Sequence, residues 1–273
     1  MDAMTQVSAL PATSPIPALP NLRDLGGWSA HDGRTVVTQR LYRSTDLRSV
    51  ITTAADVLAP LALRTIYDLR SAAERTALPD PTLPGVTDVP LDVLADAAQA
   101  IPGNLDKVLE DPTLLGELTS SMEGKAGDYI AQTYRDFLTM DSANAAYRRF
   151  YLGLLGEDSG PALFHCTTGK DRTGWAAASF LSLMGVDRDD VYTDYLATND
   201  RLLPSLAPLF DKFAAAGGDP EVLRPVLGVQ KSYLDAAFAS LDSEYGDVAT
   251  YFSKGLGIDA AAQEQLRQRY LVG

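Results

Sequence analysis

Short apolar runs alternate along the chain with stretches of helical periodicity. The runs Thr65–Tyr67, Val86–Leu91 and Pro161–Phe164 are bounded by turn-forming residues and predict buried strands. The stretch Trp175–Met184 predicts a buried helix that ends at Gly185. Because strands alternate with helices, the pattern favours an α/β fold with a mainly parallel central sheet covered on both faces.

Other helices are marked by their first residues or by their apolar stripes. Ser71 and Glu74 form a capping-box pattern, and Thr52 or Thr53 is placed to cap a helix that runs through Leu58. We also expect helices over 202–213 and 222–241. A stripe at helical spacing predicts a core helix before the third strand, with the members Tyr147, Phe150, Tyr151, Leu154 and Leu155.

Composition along the chain suggests one folded domain with two additions. Residues 1–20 are rich in Pro, Ala, Ser and Thr and are expected to form a flexible arm, so the domain is expected to span 21–273. Prolines and glycines break the pattern over 96–123, which suggests an insertion near the site. The helices over 201–241, joined by a glycine-rich connector at 214–220, are a candidate helical lid, although plain packing is an equally good interpretation.

Charge and cysteine content limit the classes of partner. The net charge of −13 argues against nucleic acid and against adhesion to anionic membranes. We find no membrane-spanning stretch and no signal peptide, so the cytoplasm is the expected location, although leaderless secretion leaves no mark. One cysteine precludes an intrachain disulfide, and with only two histidines we expect no metal cluster and no cofactor.

The run His165-Cys-Thr-Thr-Gly-Lys-Asp-Arg-Thr-Gly174 is the strongest candidate for chemistry. It places the only cysteine, Cys166, six positions before Arg172, between a predicted strand and a helix N-terminus. Backbone N–H groups converge in such a loop and the helix dipole adds positive charge, so the loop is an anion site. Lys170 and Arg172 add two full charges, and a guanidinium holds two phosphoryl oxygens at once. We therefore predict a phosphate site over Thr167, Thr168, Gly169, Lys170, Asp171 and Arg172.

The same surroundings favour the thiolate form of Cys166, which then attacks phosphorus and forms a cysteinyl-phosphate. Thr173 is placed to donate its hydroxyl to the sulfur, and His165 is expected to fix the loop rather than act as a base. A carboxylic acid must protonate the leaving oxygen. Asp171 is the nearest candidate, and Asp92, after the second predicted strand, is the alternative.

Less specific interpretations of this run remain. A lone buried cysteine is often structural, and rhodanese-like and arsenate-reductase-like loops also place an arginine-bearing cradle after a cysteine. The same cradle in a catalytically silent protein would serve as a phosphate-recognition module.

With these residues in hand, the chain resembles the atypical bacterial tyrosine phosphatases of the mycobacterial protein tyrosine phosphatase B type, whose loop is similar to that of lipid phosphatases. Matching stretches are Asn21–Gly27, Leu41–Ser44, Tyr67–Ser71, the phosphate loop and Asp194–Leu196 with Asn199-Asp200. One difference is Thr168, where relatives commonly carry alanine.

The resemblance implies dephosphorylation of phosphotyrosine proteins, with phosphoserine, phosphothreonine and phosphoinositides as further substrates. It assigns Cys166 as nucleophile and Arg172 as phosphate clamp, and it ties Lys170 and Asp171 to broad substrate choice. Charged residues in the other matched stretches are expected to support the loop through ion pairs, with direct substrate contact as the alternative. These supporting residues are Arg23, Asp24, Arg43, Asp68 and Arg70.

Overall fold

A five-stranded mixed sheet forms the centre of the protein. The computed structural model describes residues 14–97, 111, 113–114, 125–156 and 159–273. The strands of this part are β1 Arg23–Asp24, β2 Thr35–Val36, β3 Leu41–Ser44, β4 Thr65–Asp68, β5 Thr87–Pro90, β6 Ala162–His165 and β7 Leu271–Val272. The central sheet has the order β1-β3-β6-β4-β5, and β2 pairs with β7 in a separate two-stranded sheet.

The three parallel pairings of the central sheet determine which side chains meet at its edge. β3, β6, β4 and β5 are mutually parallel, and only β1 runs antiparallel, beside β3. His165, the last residue of β6, is in register with Ser44 on one side and Asp68 on the other. The carboxyl ends of these strands therefore share one edge, where α/β proteins bind their ligands. The predicted α/β fold with a mainly parallel sheet is confirmed.

Helices flank the sheet and follow its strands. Those of the described residues are α1 Ala54–Leu58, α2 Ala72–Ala77, α3 Ala126–Thr139, α4 Asp141–Gly153, α5 Arg172–Leu183, α6 Arg188–Leu202, α7 Ala207–Ala215, α8 Arg224–Leu227, α9 Lys231–Glu244, α10 Val248–Thr250 and α11 Ala260–Tyr270. Shorter helical turns cover Arg48–Val50, Ala59–Leu61, Leu203–Leu206, Pro220–Leu223 and Tyr251–Gly255. No helix within the described ranges has both the length and the apolar character that crossing a membrane demands.

Two apolar clusters cover the two faces of the sheet. The larger one contains Trp175 and the stripe of α4, which confirms that stripe as core. The smaller one contains Leu163 of β6 together with Leu19 and Leu22. Leu19 is fully buried, so the chain joins the core before Asn21, and the expected start of the domain is slightly late. Residues 1–13 of the expected arm lie outside the described residues.

Helix boundaries agree with the sequence where local capping decides them. Ser71 and Glu74 form the predicted capping box of α2, and α1 follows Thr53, although the Thr53 side chain makes no capping bond. α5 begins at Arg172, three residues earlier than predicted, and Gly185 ends it with a positive φ of 78°.

The prediction of single helices over 202–213 and 222–241 is wrong. α6 ends at Leu202 and a turn containing Pro204 leads into α7, since proline cannot supply the N–H that a continuous helix needs. The second helix is interrupted at Gly228, whose backbone is extended. A Cβ there would lie 2.8 Å from Asn199 Oδ1. Asn199 bonds the backbone N–H and C=O of Val229, which fixes the break against α6.

Residues 203–227 form a small helical unit with its own apolar cluster. Leu209 and Phe213 of α7 pack against Leu223 and Leu227, while Leu206 and Phe210 lie at the cluster's edge. α9 belongs instead to the main core, where Tyr233 and Leu234 are buried. The candidate lid is therefore shorter than 201–241. Most of the expected insertion at 96–123 lies outside the described residues.

Candidate functional site

The loop 166–171 connects the end of β6 to the first residue of α5, as the strand-loop-helix pattern predicts. Its sharp turn depends on Gly169, which has a φ of +66°. A Cβ at Gly169 would lie 2.2 Å from the carbonyl oxygen of Ser44, so only glycine fits between the loop and β3. Cys166 is 2% exposed and is a free cysteine. The loop thus places a buried sulfur at a helix N-terminus.

Arg172 is clamped by Glu74, the residue that closes the capping box of α2. Arg172 Nη1 lies 2.7 Å from Glu74 Oε2, Nη2 lies 2.8 Å from Oε1, and Nη1 also reaches the carbonyl of Leu69 at 3.3 Å. Thr167 donates its hydroxyl to the same carboxylate. Burial raises the pKa of Glu74, but the Arg172 guanidinium and the Thr167 hydroxyl outweigh burial and hold this pKa well below its usual range.

The pKa of Arg172 moves in the opposite direction. Burial lowers it, but the bonds to Glu74 and the charge of Cys166 leave it above its usual value. Arg172 thus stays charged, and its Nε–H and second Nη2–H have no partner among the described residues. These two donors are free for phosphoryl oxygens.

Lys170 and Asp171 form an ion pair within the loop. Lys170 Nζ lies 2.9 Å from Asp171 Oδ1 and 2.7 Å from Oδ2. Tyr134 of α3 donates to the same Oδ1 at 3.2 Å, and Tyr195 of α6 donates to the Tyr134 hydroxyl at 2.7 Å. Burial and the nearby Asp171 charge raise the pKa of both tyrosines well above the usual value, so both hydroxyls remain protonated donors.

Two buried arginines support the loop on the side of the Thr168 and Gly169 carbonyls. Arg43 Nη2 donates to the Gly169 carbonyl at 2.9 Å, and Asn21 donates to the carbonyls of Thr168 and Gly169. Asp194 joins the arginines, at 2.6 Å from Arg43 and 2.7 Å from Arg23. Burial raises the pKa of Asp194, but the two guanidinium groups outweigh it and lower this pKa overall. Arg43 therefore supports the loop directly, and Arg23 acts through Asp194 and through Asn21, whose Oδ1 accepts from Arg23 Nη1 at 2.5 Å.

Asp68 and Arg70 lie beside His165 rather than beside Arg172. Arg70 Nη2 is 2.7 Å from Asp68 Oδ2 and 2.9 Å from Asp80 Oδ2. His165 Nε2 is 2.9 Å from Asp80 Oδ2, and Nδ1 is 3.1 Å from the carbonyl oxygen of Cys166. Burial lowers the pKa of His165, but the charges of Asp80 and Asp68 exceed that effect and raise it to about 9.

This group is the place among the described residues that bears on the expectation of no metal cluster. Ligand atoms of Asp68, Asp80 and His165 lie within 4.8 Å of one another. The guanidinium of Arg70, however, contacts both carboxylates and supplies the positive charge that a metal ion would bring. The arrangement therefore fits an organic ion-pair network better than a metal centre.

The carboxylates of Asp24 and Asp92 accept hydrogen bonds from backbone N–H groups outside the loop. The Asp24 carboxylate accepts from the backbone N–H groups of Gly26 and Gln39, and none of its partners among the described residues belongs to the loop. The Asp92 carboxylate accepts from Ala72 at 2.7 Å and from Leu94 at 3.1 Å. Asp92 thus holds the start of α2, the helix that carries Glu74, two residues beyond the carboxyl end of β5.

Thr173 is the remaining residue of the predicted set. It is fully buried at the start of α5, and its hydroxyl has no hydrogen-bond partner among the described residues. It makes no bond to the Cys166 sulfur here.

Sequence reasoning missed five residues that contact the loop or its supports: Asn21, Glu74, Asp80, Tyr134 and Asp194. Glu74 was assigned only to its capping box, and Asn21 and Asp194 appeared only in the matched stretches. Lys170 pairs with Asp171 within the loop, but a buried Arg172 implies a partner carboxylate from elsewhere in the chain. That requirement, however, does not tell which of the chain's many acids supplies it.

The site has a cysteine directly after a central strand and a paired arginine at the start of the next helix. This arrangement is typical of phosphatases that form a cysteinyl-phosphate. The sequence pattern of the tyrosine phosphatase family matches residues 14–272. The chain belongs to this family, and it is a phosphatase of the bacterial type that the sequence predicted.

Individual relatives agree with the family match. A Cupriavidus necator protein named "Putative tyrosine-protein phosphatase" is 34% identical over 93% of this chain and 86% of its own length. The triple specificity protein phosphatase PtpB of Mycobacterium tuberculosis is 31% identical over 89% of this chain and 96% of its own length. A tyrosine-protein phosphatase of Nostoc commune is 26% identical over 83% of this chain and 72% of its own length.

Proposed function

We propose that this phosphatase dephosphorylates phosphotyrosine in proteins through a cysteinyl-phosphate on Cys166. The observation that carries the proposal is the pairing of Arg172 with Glu74, which leaves two guanidinium N–H groups without a partner in the part of the chain that the structure describes. The Cys166 sulfur attacks phosphorus, the bond from phosphorus to the phenolic oxygen breaks, and that oxygen takes a proton. Water then attacks the cysteinyl-phosphate, which releases inorganic phosphate and restores Cys166.

We assign the proton donor to Asp92 rather than to Asp171. Both oxygens of Asp171 contact Lys170, and one of them also accepts from Tyr134, so this carboxylate is committed to the loop. Asp92 is half-buried, at the edge of the sheet where the loop lies, and its two partners are backbone N–H groups. In this proposal Asp171 positions Lys170, and Asp92 turns from the start of α2 to the leaving oxygen when substrate binds.

Lys170 extends the substrate range beyond phosphotyrosine. Its side chain is 7% exposed and stands in the same loop, two residues before Arg172, so it adds a cation for a second acidic group on the substrate. The triple-specificity name of the mycobacterial relative supports the same range. We therefore add phosphoserine, phosphothreonine and phosphoinositides as substrates and rank them behind phosphotyrosine. For phosphoinositides, the net charge of −13 opposes approach to an anionic membrane.

The test of the function is release of inorganic phosphate from a phosphotyrosine peptide, a phosphoserine peptide and a soluble short-chain phosphoinositide. We expect turnover that is highest on phosphotyrosine and absent in Cys166→Ser. Phosphate-analogue binding without turnover on any of the three substrates would instead identify a silent recognition module.

The test of the acid uses aryl phosphates with leaving groups of different basicity. A missing general acid slows poor leaving groups more than good ones. We expect Asp92→Asn to lower kcat for phenyl phosphate by at least about 100-fold and to leave 2,4-dinitrophenyl phosphate little changed. Asp171→Asn should affect both substrates alike, and the reverse pattern would return the assignment to Asp171.

A further inference from the structure

Asp80 is a buried acid that neither the phosphate clamp nor the proton transfer uses. It stands between two prolines in the segment Pro79-Asp80-Pro81, which follows α2. Proline restricts its own φ and the conformation of the residue before it, so the backbone around Asp80 is stiff. Arg70 bonds the carbonyl of Leu78 at 2.8 Å, and Leu83 is buried in the smaller apolar cluster. The segment is thereby fixed at both ends.

The Asp80 carboxylate points at His165. Its side chain is 4% exposed, and its Oδ2 lies 2.9 Å from both His165 Nε2 and Arg70 Nη2. A buried carboxylate is tolerated only with such partners. The other ring nitrogen of His165 lies 3.1 Å from the Cys166 carbonyl oxygen.

The contact of His165 Nε2 with Asp80 Oδ2 at 2.9 Å is an ion-pair contact rather than a hydrogen bond, since neither atom has a hydrogen-bond partner among the described residues. Asp68 Oδ1 lies 4.0 Å from Nδ1, so two buried carboxylates face the ring. Carboxylates at these distances favour the imidazolium form, and the pKa of about 9 for this ring agrees with it. The charged groups that face the ring are Asp68 of β4, Asp80, Arg70, Asp88 of β5 and Cys166.

Removing the Asp80 charge changes this balance. With both carboxylates ionised, Arg70 neutralises one and the imidazolium neutralises the other. With an amide at position 80, the charges of Asp68 and Arg70 cancel each other. Burial then favours the neutral form of the fully buried His165 ring, and the pKa of the ring falls.

We propose that Asp80 is a positioning residue for the nucleophile: by holding His165 as a cation against the Cys166 carbonyl, it fixes the start of the loop and favours the Cys166 thiolate. This inference rests on the proposed role of Cys166. Asp80 does not touch the substrate and acts only through His165, one residue before the nucleophile.

The first test is alkylation of the protein by iodoacetamide as a function of pH. Because Cys166 is the only cysteine, uptake of label reports on this sulfur alone and needs no turnover. We expect Asp80→Asn to move the midpoint of the alkylation profile upward by about one pH unit, as loss of a nearby cation does. Glu221→Gln is the control. It removes an exposed carboxylate whose ion-pair partner is Arg224, and it should leave the midpoint nearly unchanged.

A double variant separates the route through His165 from a direct effect. In a His165→Asn background, Asp80→Asn should cause no further shift of the midpoint. An additional shift of the same size would overturn the proposal, as would an Asp80→Asn midpoint equal to that of the wild type.

The second test does not depend on whether Asp80→Asn folds. The chain has two histidines, so a His31→Asn variant leaves His165 as the only imidazole seen by nuclear magnetic resonance. We expect its signals to be those of the imidazolium at pH 7 and to titrate near pH 9. A neutral ring at pH 7 would overturn the proposal even if the protein proves to be an active phosphatase.

Discussion

The hydroxyl of Tyr134 donates to the Asp171 carboxylate at 3.2 Å and accepts from Tyr195 at 2.7 Å. Two helices far apart in sequence thereby reach the ion pair of the phosphate loop. The ring of Tyr134 lies 6.1 Å from that of Tyr233, and Tyr233 donates to the carbonyl of Pro225 in α8. A continuous set of contacts therefore links the helical unit 203–227 to the loop 166–171.

Tyr134→Phe should weaken substrate binding without unfolding the protein. Asp171 loses its only hydrogen bond from outside the loop among the described residues, so Lys170 is held less firmly. One such bond is worth about 1 kcal/mol, so we expect kcat/KM to fall about fivefold, mainly through KM. Tyr151→Phe is the control, because its buried hydroxyl bonds Ala176 and Ser179 away from the loop. Equal losses in the two variants would show that the loop contact has no special role.

Gly169→Ala should abolish turnover and phosphate-analogue binding. The added Cβ would collide with the carbonyl of Ser44 and would also oppose the positive φ at this position. Gly217→Ala separates the two causes, since Gly217 has a φ of +88° but no atom within 4 Å of the point that a Cβ would occupy. We expect the control to lose about 1 kcal/mol of stability and to retain its activity, measured by urea unfolding and by phosphate release. An active Gly169→Ala enzyme would contradict the close packing of the loop on β3.

Asp194→Asn should be among the most destabilising single changes in the chain. It leaves two buried guanidinium groups, Arg23 and Arg43, without their shared counter-ion. Breaking a buried pair in this way costs about 3–5 kcal/mol. Glu221→Gln removes a carboxylate from the exposed pair with Arg224 and should cost less than about 0.5 kcal/mol. The free energy of unfolding in urea distinguishes the two, and similar values for both variants would be the contrary outcome.

Stability should decline in a defined alkaline window because of His165. Its folded pKa of about 9 lies above the ordinary value of about 6.5. A raised pKa means that the folded state holds the proton more tightly, so the stabilisation is complete below pH 6.5 and disappears as the pH rises through 9. Its size is on the order of 3 kcal/mol.

The measurement is the difference in unfolding free energy between the wild type and His165→Asn at several pH values. The difference should shrink from pH 6 to pH 9, and the corresponding difference for His31→Asn should stay constant. A constant difference for His165→Asn would mean that folding leaves the pKa of this ring unchanged, and a difference that grows above pH 6 would mean that the folded state disfavours the protonated ring.

Local sequence was sufficient for the parts of the site that one segment builds. The order of strand, loop and helix around Cys166 and the capping box at Ser71 depend on neighbours within a few residues, and both were predicted. The clamp on Arg172 was not, because Glu74 stands 98 positions away and reaches it only after β4 and β6 have paired. The same holds for Asp80 and His165. A carboxylate in a proline-rich loop has no local mark that distinguishes it from a solvated one.

The two segments that were predicted as continuous helices show a second limit of sequence analysis. Leu202–Phe213 and Val222–Leu241 both carry helical periodicity, yet prolines and the close approach of Gly228 to Asn199 divide them. Periodicity reports which face of a segment is buried. It does not report where the backbone must change direction to meet another element.

The apolar cluster of residues 203–227 is separate from the two clusters that cover the sheet, and this has a consequence for local unfolding. Its members pack mainly against one another, while bonds such as that of Tyr233 to the Pro225 carbonyl connect the unit to the main core. A fluctuation that opens this cluster therefore leaves the sheet and the loop around Cys166 in place. The backbone amides of 203–227 should exchange with solvent through a lower-energy opening than those of β6 and α5.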